Sequence, residues 1–290
     1  MKPVAAGNAL LSCFTVGAAA AAASVPSFDH DLRIPTSYES AVLGRRILAL
    51  TPLGTLATVF PHAKESDGIA PLERRPPGLD GLPYSLMEYI ADCEEDGLGN
   101  PTILAITIGT TFKNAAAGSN VSLAVQWTPP HPPAKRIEGK KTKKAKKRSW
   151  LSYLGWGDDV KEGHHKHGRH HHDYHSAALP YSAANLPRFS LLGHLEPIEG
   201  GDDRDGHVAS CYVKSHPDAK YWLPGNRIHQ AHFVRLVVDQ VYWVGGFGDR
   251  AFIGWIPVEE WQRVTREEWQ NARLPGEKKG WKEWSVAGDL

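Results

Sequence analysis

The 290 residues, 41% hydrophobic and 22% charged, leave room for one or two domains of about 100–200 residues each. Basic and acidic side chains number 33 and 32, a net charge of +1 that excludes a protein built wholly to neutralise nucleic acid. The ten Trp and nine Tyr lie mostly outside one basic internal segment, so the rest of the chain can bury a substantial core.

Residues 1–23 read as a cleaved signal peptide. Met1-Lys2 supplies a short positive start, residues 10–23 (LLSCFTVGAAAAAA) an uncharged apolar run, and Ala21-Ala22-Ala23 the small-residue cleavage site. A membrane anchor would need about 20 strongly apolar residues. This run is shorter and rich in Ala, and no later stretch is apolar enough to span a bilayer. The expected location is secreted: extracellular, or in an endomembrane lumen. Cys13 would leave with the signal peptide. Cys93 and Cys211 remain, and one disulfide or two separate buried thiols fit the sequence equally well.

Residues 24–35 read as an extended lead-in. A helix follows, with Thr36 and Glu39 spaced as a capping box, Leu43, Ile47 and Leu50 on one face, and Pro52 as its stop. Arg45 and Arg46 on that helix are expected in solvent. Strands are predicted at 54–60, 84–92, 102–107, 121–127, 188–195, 233–244 and 251–256, each apolar or β-branched and bounded by Gly or Pro. Residues 208–223 read as helical, divided at His216-Pro217. Pro257, Glu259 and Glu260 open another helix, and Thr265 with Glu268 supplies a second capping box. The tail, 271–290, has no clear periodicity.

Between the fourth and fifth strands lies an insert, 128–185. It opens with Pro129, Pro130, Pro132 and Pro133, and continues through nine Lys and Arg between Lys135 and Arg148 to a His-rich run. Few of its residues can form a core, so most of it is expected to be disordered, apart from an apolar island at 150–156. The fold class is therefore mainly β with flanking helices: one domain in two segments, 24–127 and 186–270, interrupted by a disordered insert. Short strands with frequent turns favour a barrel or a sandwich.

Three passages carry a family likeness. Gly81-Leu82-Pro83-Tyr84-Ser85, the strand after it, the Gly-Asn-Pro turn and residues 102–111 resemble paired strands of the pyridoxamine-5′-phosphate-oxidase-like (PNPOx-like) split barrels, and Asn120-Val121-Ser122-Leu123 resembles the strand that follows. Residues 216–222, 232–236 and 241–248, the last ending in Gly-Gly-Phe-Gly, resemble the C-terminal half. With the signal peptide, the order of these passages looks most like CREG, a secreted glycoprotein family that keeps the barrel. The likeness covers residues 38–264 apart from the insert. It implies a split β-barrel and a homodimer, since chains of this superfamily usually pair. Flavoenzyme members hold FMN at the dimer interface, whereas CREG members keep the fold without working as ordinary flavin oxidases. No cofactor is expected on that resemblance. FMN stays open, because Gly246-Phe247-Gly248 has a form also found among flavin- or haem-handling relatives.

A flavin phosphate needs convergent hydroxyl, amide and cationic donors. Thr110, Thr111, Lys113 and Asn114 have that composition and match the phosphate-contact region of flavin-binding relatives; a polar turn at a strand end explains the same residues. The Gly245–Gly248 turn lacks the strand-loop-helix spacing of a dinucleotide fingerprint. His164, His165, His167, His170, His171, His172 and His175 could capture Zn, Ni or Cu weakly, but a run without fixed geometry does not make a structural metal site. The Lys/Arg stretch could bind polyanions or serve only as a solvated linker. Asn120-Val121-Ser122 is an N-glycosylation sequon. No nucleophile sits on a recognisable elbow, and His194, His216 and His232 read as structural. The sequence thus points to a secreted, glycosylated, dimeric binding module. An extracellular protein partner stays open, and neither a specific nucleic acid nor a membrane span is expected. One alternative is an FMN- or haem-dependent oxidoreductase, and another a metal- or polyanion-binding protein acting through the insert.

Overall fold

The computed structural model describes residues 33–62, 75–94, 97–134, 180–199 and 206–283. The signal peptide, the basic stretch and all seven histidines of the His run lie outside the described residues. In chain order the elements are α1 (Ser37–Leu50), β1 (Leu53–Val59), β2 (Pro83–Ala91), β3 (Thr102–Ile106), α2 (Thr110–Ala116), β4 (Val121–Gln126), β5 (Arg188–Pro197), α3 (His207–Ser215), β6 (Ala231–Val244), β7 (Ile253–Ile256), α4 (Val258–Gln262) and α5 (Arg266–Asn271).

Both predicted capping boxes form. Thr36 Oγ1 accepts from the Glu39 backbone N–H while the Glu39 carboxylate accepts from the Thr36 N–H, and Thr265 and Glu268 repeat the arrangement. All seven strands form one antiparallel sheet in the order β3-β2-β1-β4-β5-β6-β7, and a further pairing of β3 with β6 closes six of them into a barrel. Alternation sets the inner face, with Leu56 on β1, Leu123 on β4, Leu191 on β5 and Trp243 on β6 all at most 1% exposed. Burying a side chain of this size contributes roughly 1.5–3 kcal/mol.

The barrel is split at one seam. β2 and β3 pair only through Ile90–Ile103 and Ala91–Thr102. Tyr212 of α3 bridges the opening: its hydroxyl accepts from the Leu104 N–H (3.3 Å) and donates to the Tyr89 carbonyl (3.1 Å). The Cys93–Cys211 disulfide, left open by the sequence, holds α3 against the same seam with a Cα–Cα distance of 5.7 Å. A smaller core of Leu104, Val208, Tyr212, Ala219 and Phe233 fills in around it.

A second lock lies between β3 and β7, which share one edge of β6. In the gap between them the loop 97–101 supplies the missing partners. The Pro101 carbonyl accepts from Leu236 N–H at 2.9 Å and Asn100 Oδ1 from Val238 N–H at 3.1 Å. Here the structure corrects the expectation that Arg45 is solvated. Its side chain is 1% exposed, with Nη1 donating to the Trp261 carbonyl (3.1 Å) and Nη2 to the Gly97 carbonyl (2.7 Å). Gly99 makes this approach feasible: its φ is +78° and a Cβ there would lie 2.5 Å from Arg45 Nε. Arg46 is not free either, forming a two-pronged ion pair with Glu277 at 2.9 Å. The buried face of α1 is accordingly Ala41, Gly44, Arg45, Ile47 and Leu48, and Leu50, expected inside, is 43% exposed.

The two described ends of the insert and the tail also differ from expectation, because they satisfy each other. His131 N–H donates to the Gly276 carbonyl, Ala134 N–H to the Trp281 carbonyl, and Trp281 Nε1 back to the His131 carbonyl. Across the insert, Ser182 N–H donates to the Glu283 carboxylate and Tyr181 is buried. Segments 128–134 and 180–185 therefore pack on the barrel beside Ala272 and Leu274 of the tail, both buried.

Candidate ligand-binding groove

The register across the barrel wall places one outward-facing residue of each of six strands in a single row. Met87 of β2 lies opposite Thr55 of β1, Thr55 opposite Ala124 of β4, Ala124 opposite Ser190 of β5, Ser190 opposite Tyr242 of β6, and Tyr242 opposite Trp255 of β7. Side-chain size along the row is uneven. Met87 (69% exposed) stands at one end, while Tyr242 and Trp255 (56% exposed) meet edge to face at 5.0 Å at the other. Between them sit Thr55, Ala124 and Ser190. Large side chains flanking small ones on a twisted wall make a groove, here of about 670 Å³, within the range of roughly 300–1,000 Å³ usual for small-molecule sites. Leu50 and Leu53 extend its apolar rim, and Gln126 and Arg188, opposite one another on β4 and β5, add polar groups one pleat along. Arg188 is the only charged side chain lining the groove among the described residues.

The four sequence-predicted cofactor residues lie elsewhere. They occupy α2, a helix capped by Gly109 where a strand-end turn was the simpler expectation. Thr111 and Asn114 are each 2% exposed and face the barrel. Asn114 Nδ2 donates to Thr58 Oγ1 at 3.1 Å, and the Thr111 hydroxyl donates to the Glu88 carboxylate. Burial pushes the Glu88 carboxyl up from its ordinary value, and the Thr111 hydroxyl offsets only part of that. Thr110 and Lys113 are half-buried. As a set the four do not fit a flavin phosphate, since two of the donors are spent inside the barrel, one of them on a carboxylate.

Asn120 is exposed immediately before β4, as a glycan acceptor must be. His216 is buried: its Nε2 lies 2.9 Å from the Ile90 carbonyl and its ring stacks on Tyr89 at 4.5 Å. His194 stands between Glu196 (3.2 Å) and Asp239 (3.3 Å). Burial pulls its pKa down, but these two carboxylates outweigh that and leave it raised. Among the described residues no helix is long and apolar enough to cross a membrane, and no group of three or more His, Cys, Asp or Glu is placed to hold a metal ion. Sequence reasoning missed Met87, Arg188 and Tyr242. Alternation signals that each faces outward, but only the register shows that they share one groove.

Compared with known families, residues 35–263 match the family model described as "CREG, beta-barrel". A comparison with curated proteins finds no match. Solved structures with a similar fold include the heme binding protein from Mycobacterium smegmatis, 17% identical with a TM-score of 0.45, covering 79% of this chain and 61% of its own. Campylobacter jejuni ChuZ is 12% identical with a TM-score of 0.40, covering 75% of this chain and 60% of its own. The chain thus spans about three fifths of the length of these two proteins. The likeness concerns the fold alone.

Proposed function

The chain belongs to the CREG β-barrel family, and from that premise we propose that it is a secreted glycoprotein working as a non-catalytic, homodimeric binding module. Its working surface is the groove on the barrel wall. The observation that carries this reading is the row from Met87 to Trp255, where exposed apolar side chains flank a floor of small residues. A soluble protein keeps large apolar side chains in water at a cost in solubility, and such a patch commonly marks a site of contact. The groove needs no moving part to form, because its walls are fixed by continuous strand pairing.

Secretion is supported by the signal-peptide pattern, and glycosylation by the exposed sequon at Asn120. In the flavin alternative Thr111 and Asn114 already spend donors inside the barrel, and no step of flavin chemistry is assigned. The basic stretch and His run are proposed as accessory, and deletion of residues 135–175 should leave groove binding intact.

The test is titration with a neutral apolar fluorophore, pyrenebutanol. Saturable binding to the wild type that Ala124→Trp abolishes supports the groove as the ligand site. Saturable binding that Ala124→Trp leaves unchanged, or none at all, overturns it.

A further inference from the structure

Resting on the reading of the groove as the ligand site, we propose that its occupant is an amphipathic monoanion: an apolar body carrying one carboxylate, which Arg188 pairs with. The inference starts from an imbalance of charge. Among the described residues no carboxylate lines the groove, and the Arg188 guanidinium pairs with none. The contact its guanidinium makes is from Nη1 to the Leu186 carbonyl at 3.5 Å, too long for a good hydrogen bond. The adjoining recess, which shares Leu50, Trp127 and Thr128 with the groove, is different. Its two charged residues, Arg46 and Glu277, neutralise one another at 2.9 Å.

Arg188 is held at the start of β5 between Gln126 and Val244, so its side chain shares the outward face with Ser190 two residues on. The guanidinium and the Ser190 hydroxyl are donors on the same side of the groove, beside Tyr242, and Met87 offers apolar contact from the opposite end, three strands away. A body lying along Thr55 and Ala124 would place its anionic end at Arg188. Guanidinium and carboxylate match in a planar, two-pronged geometry. One cation does not balance a dianionic phosphate, and an amine would be repelled. Apolar walls around a single unmatched cation therefore specify an acid with one negative charge.

The probe pair is pyrenebutyrate and pyrenebutanol, which share an apolar body and differ in charge. They are titrated by fluorescence against the wild type, Arg188→Met and Ala124→Trp, with near-UV circular dichroism checking that each variant is folded. The wild type should bind the carboxylate at least about tenfold more tightly than the alcohol, the lower end of what a charge-assisted hydrogen bond contributes. Arg188→Met should bring the two affinities together by weakening the carboxylate alone, and Ala124→Trp should weaken both. Equal affinities in the wild type, unchanged in Arg188→Met but lost in Ala124→Trp, would overturn the anion inference and leave the groove standing. No binding of either probe would overturn the groove itself. If in addition light scattering showed a wild-type dimer that Ala124→Trp splits, the groove would belong to a second copy of the chain.

Discussion

Removing the buried Arg45 side chain of α1 should strongly destabilise this barrel. The side chain is 1% exposed and gives hydrogen bonds to two backbone carbonyls, those of Trp261 and Gly97. Asp92 Oδ2 lies 4.0 Å away, and the guanidinium sits 5.7 Å from the centre of the Trp261 ring. Arg45→Ala takes the donor from both carbonyls and opens a void beside Trp261, which is itself completely buried. An unsatisfied buried acceptor costs about 1–3 kcal/mol, and breaking a buried charged network by removing one partner costs about 3–5 kcal/mol in total. Arg45→Met separates the two effects: it refills the volume but leaves the carbonyls without donors, for an expected loss of about 2–3 kcal/mol. In urea, with a slope of about 2 kcal/mol/M, Arg45→Ala should lower the midpoint by roughly 2 M and Arg45→Met by about 1 M. Tryptophan fluorescence and far-ultraviolet circular dichroism should report coincident transitions. If Arg45→Met matched or exceeded the wild type, the hydrogen bonds across the β3–β7 gap would contribute nothing net, and the lock would be a matter of packing alone.

Other consequences can be measured separately. Cys93 and Cys211 are 118 residues apart, so opening the disulfide frees a long loop. The chain-entropy relation sets an upper estimate of about 5 kcal/mol for Cys93→Ser with Cys211→Ser, and an unchanged urea midpoint would contradict it. Hydrogen bonds from Arg33 hold the Glu39 carboxyl down at about 2, against an ordinary value of 4.5. Because that folded value is depressed, the Glu39 contribution is fully present above pH 4.5 and fades as pH falls towards about 2. Glu39→Gln should therefore cost about 1 kcal/mol near neutrality and almost nothing near the bottom of that window, as read by urea unfolding at both pH values. Asn120→Gln should sharpen and speed the gel band of protein secreted by a glycosylating host, and an unshifted band would mean that the sequon is unused.

What the sequence discloses here is mostly what short-range chemistry decides. The capping boxes at Thr36/Glu39 and Thr265/Glu268 need only residues three apart, and both form as expected. Strand positions follow from apolar and β-branched runs, and each predicted strand falls within a few residues of an observed one. Arg45 was illegible because its partners come from Gly97 and Trp261, 52 and 216 residues away. α2 was missed because Thr110 and Thr111 are β-branched and follow a strand directly, so propensity argues against a helix that Gly109 and the Ala residues after it allow. The pairing of Cys93 with Cys211 depends on α3 folding back onto the β2–β3 seam, which no local pattern encodes. The groove is the same kind of case. Alternation assigns Met87, Arg188 and Tyr242 to the outer face, but their sharing one site depends on the register of five strand pairs.

The measurement that bears most directly on the claim of a binding module is an absorbance spectrum of the protein purified from a secreting host, followed by titration with FMN. The protein should be colourless, with a spectrum and fluorescence unmoved by added FMN. A stoichiometric flavin or haem spectrum would contradict that claim and put a redox enzyme in place of the binding module.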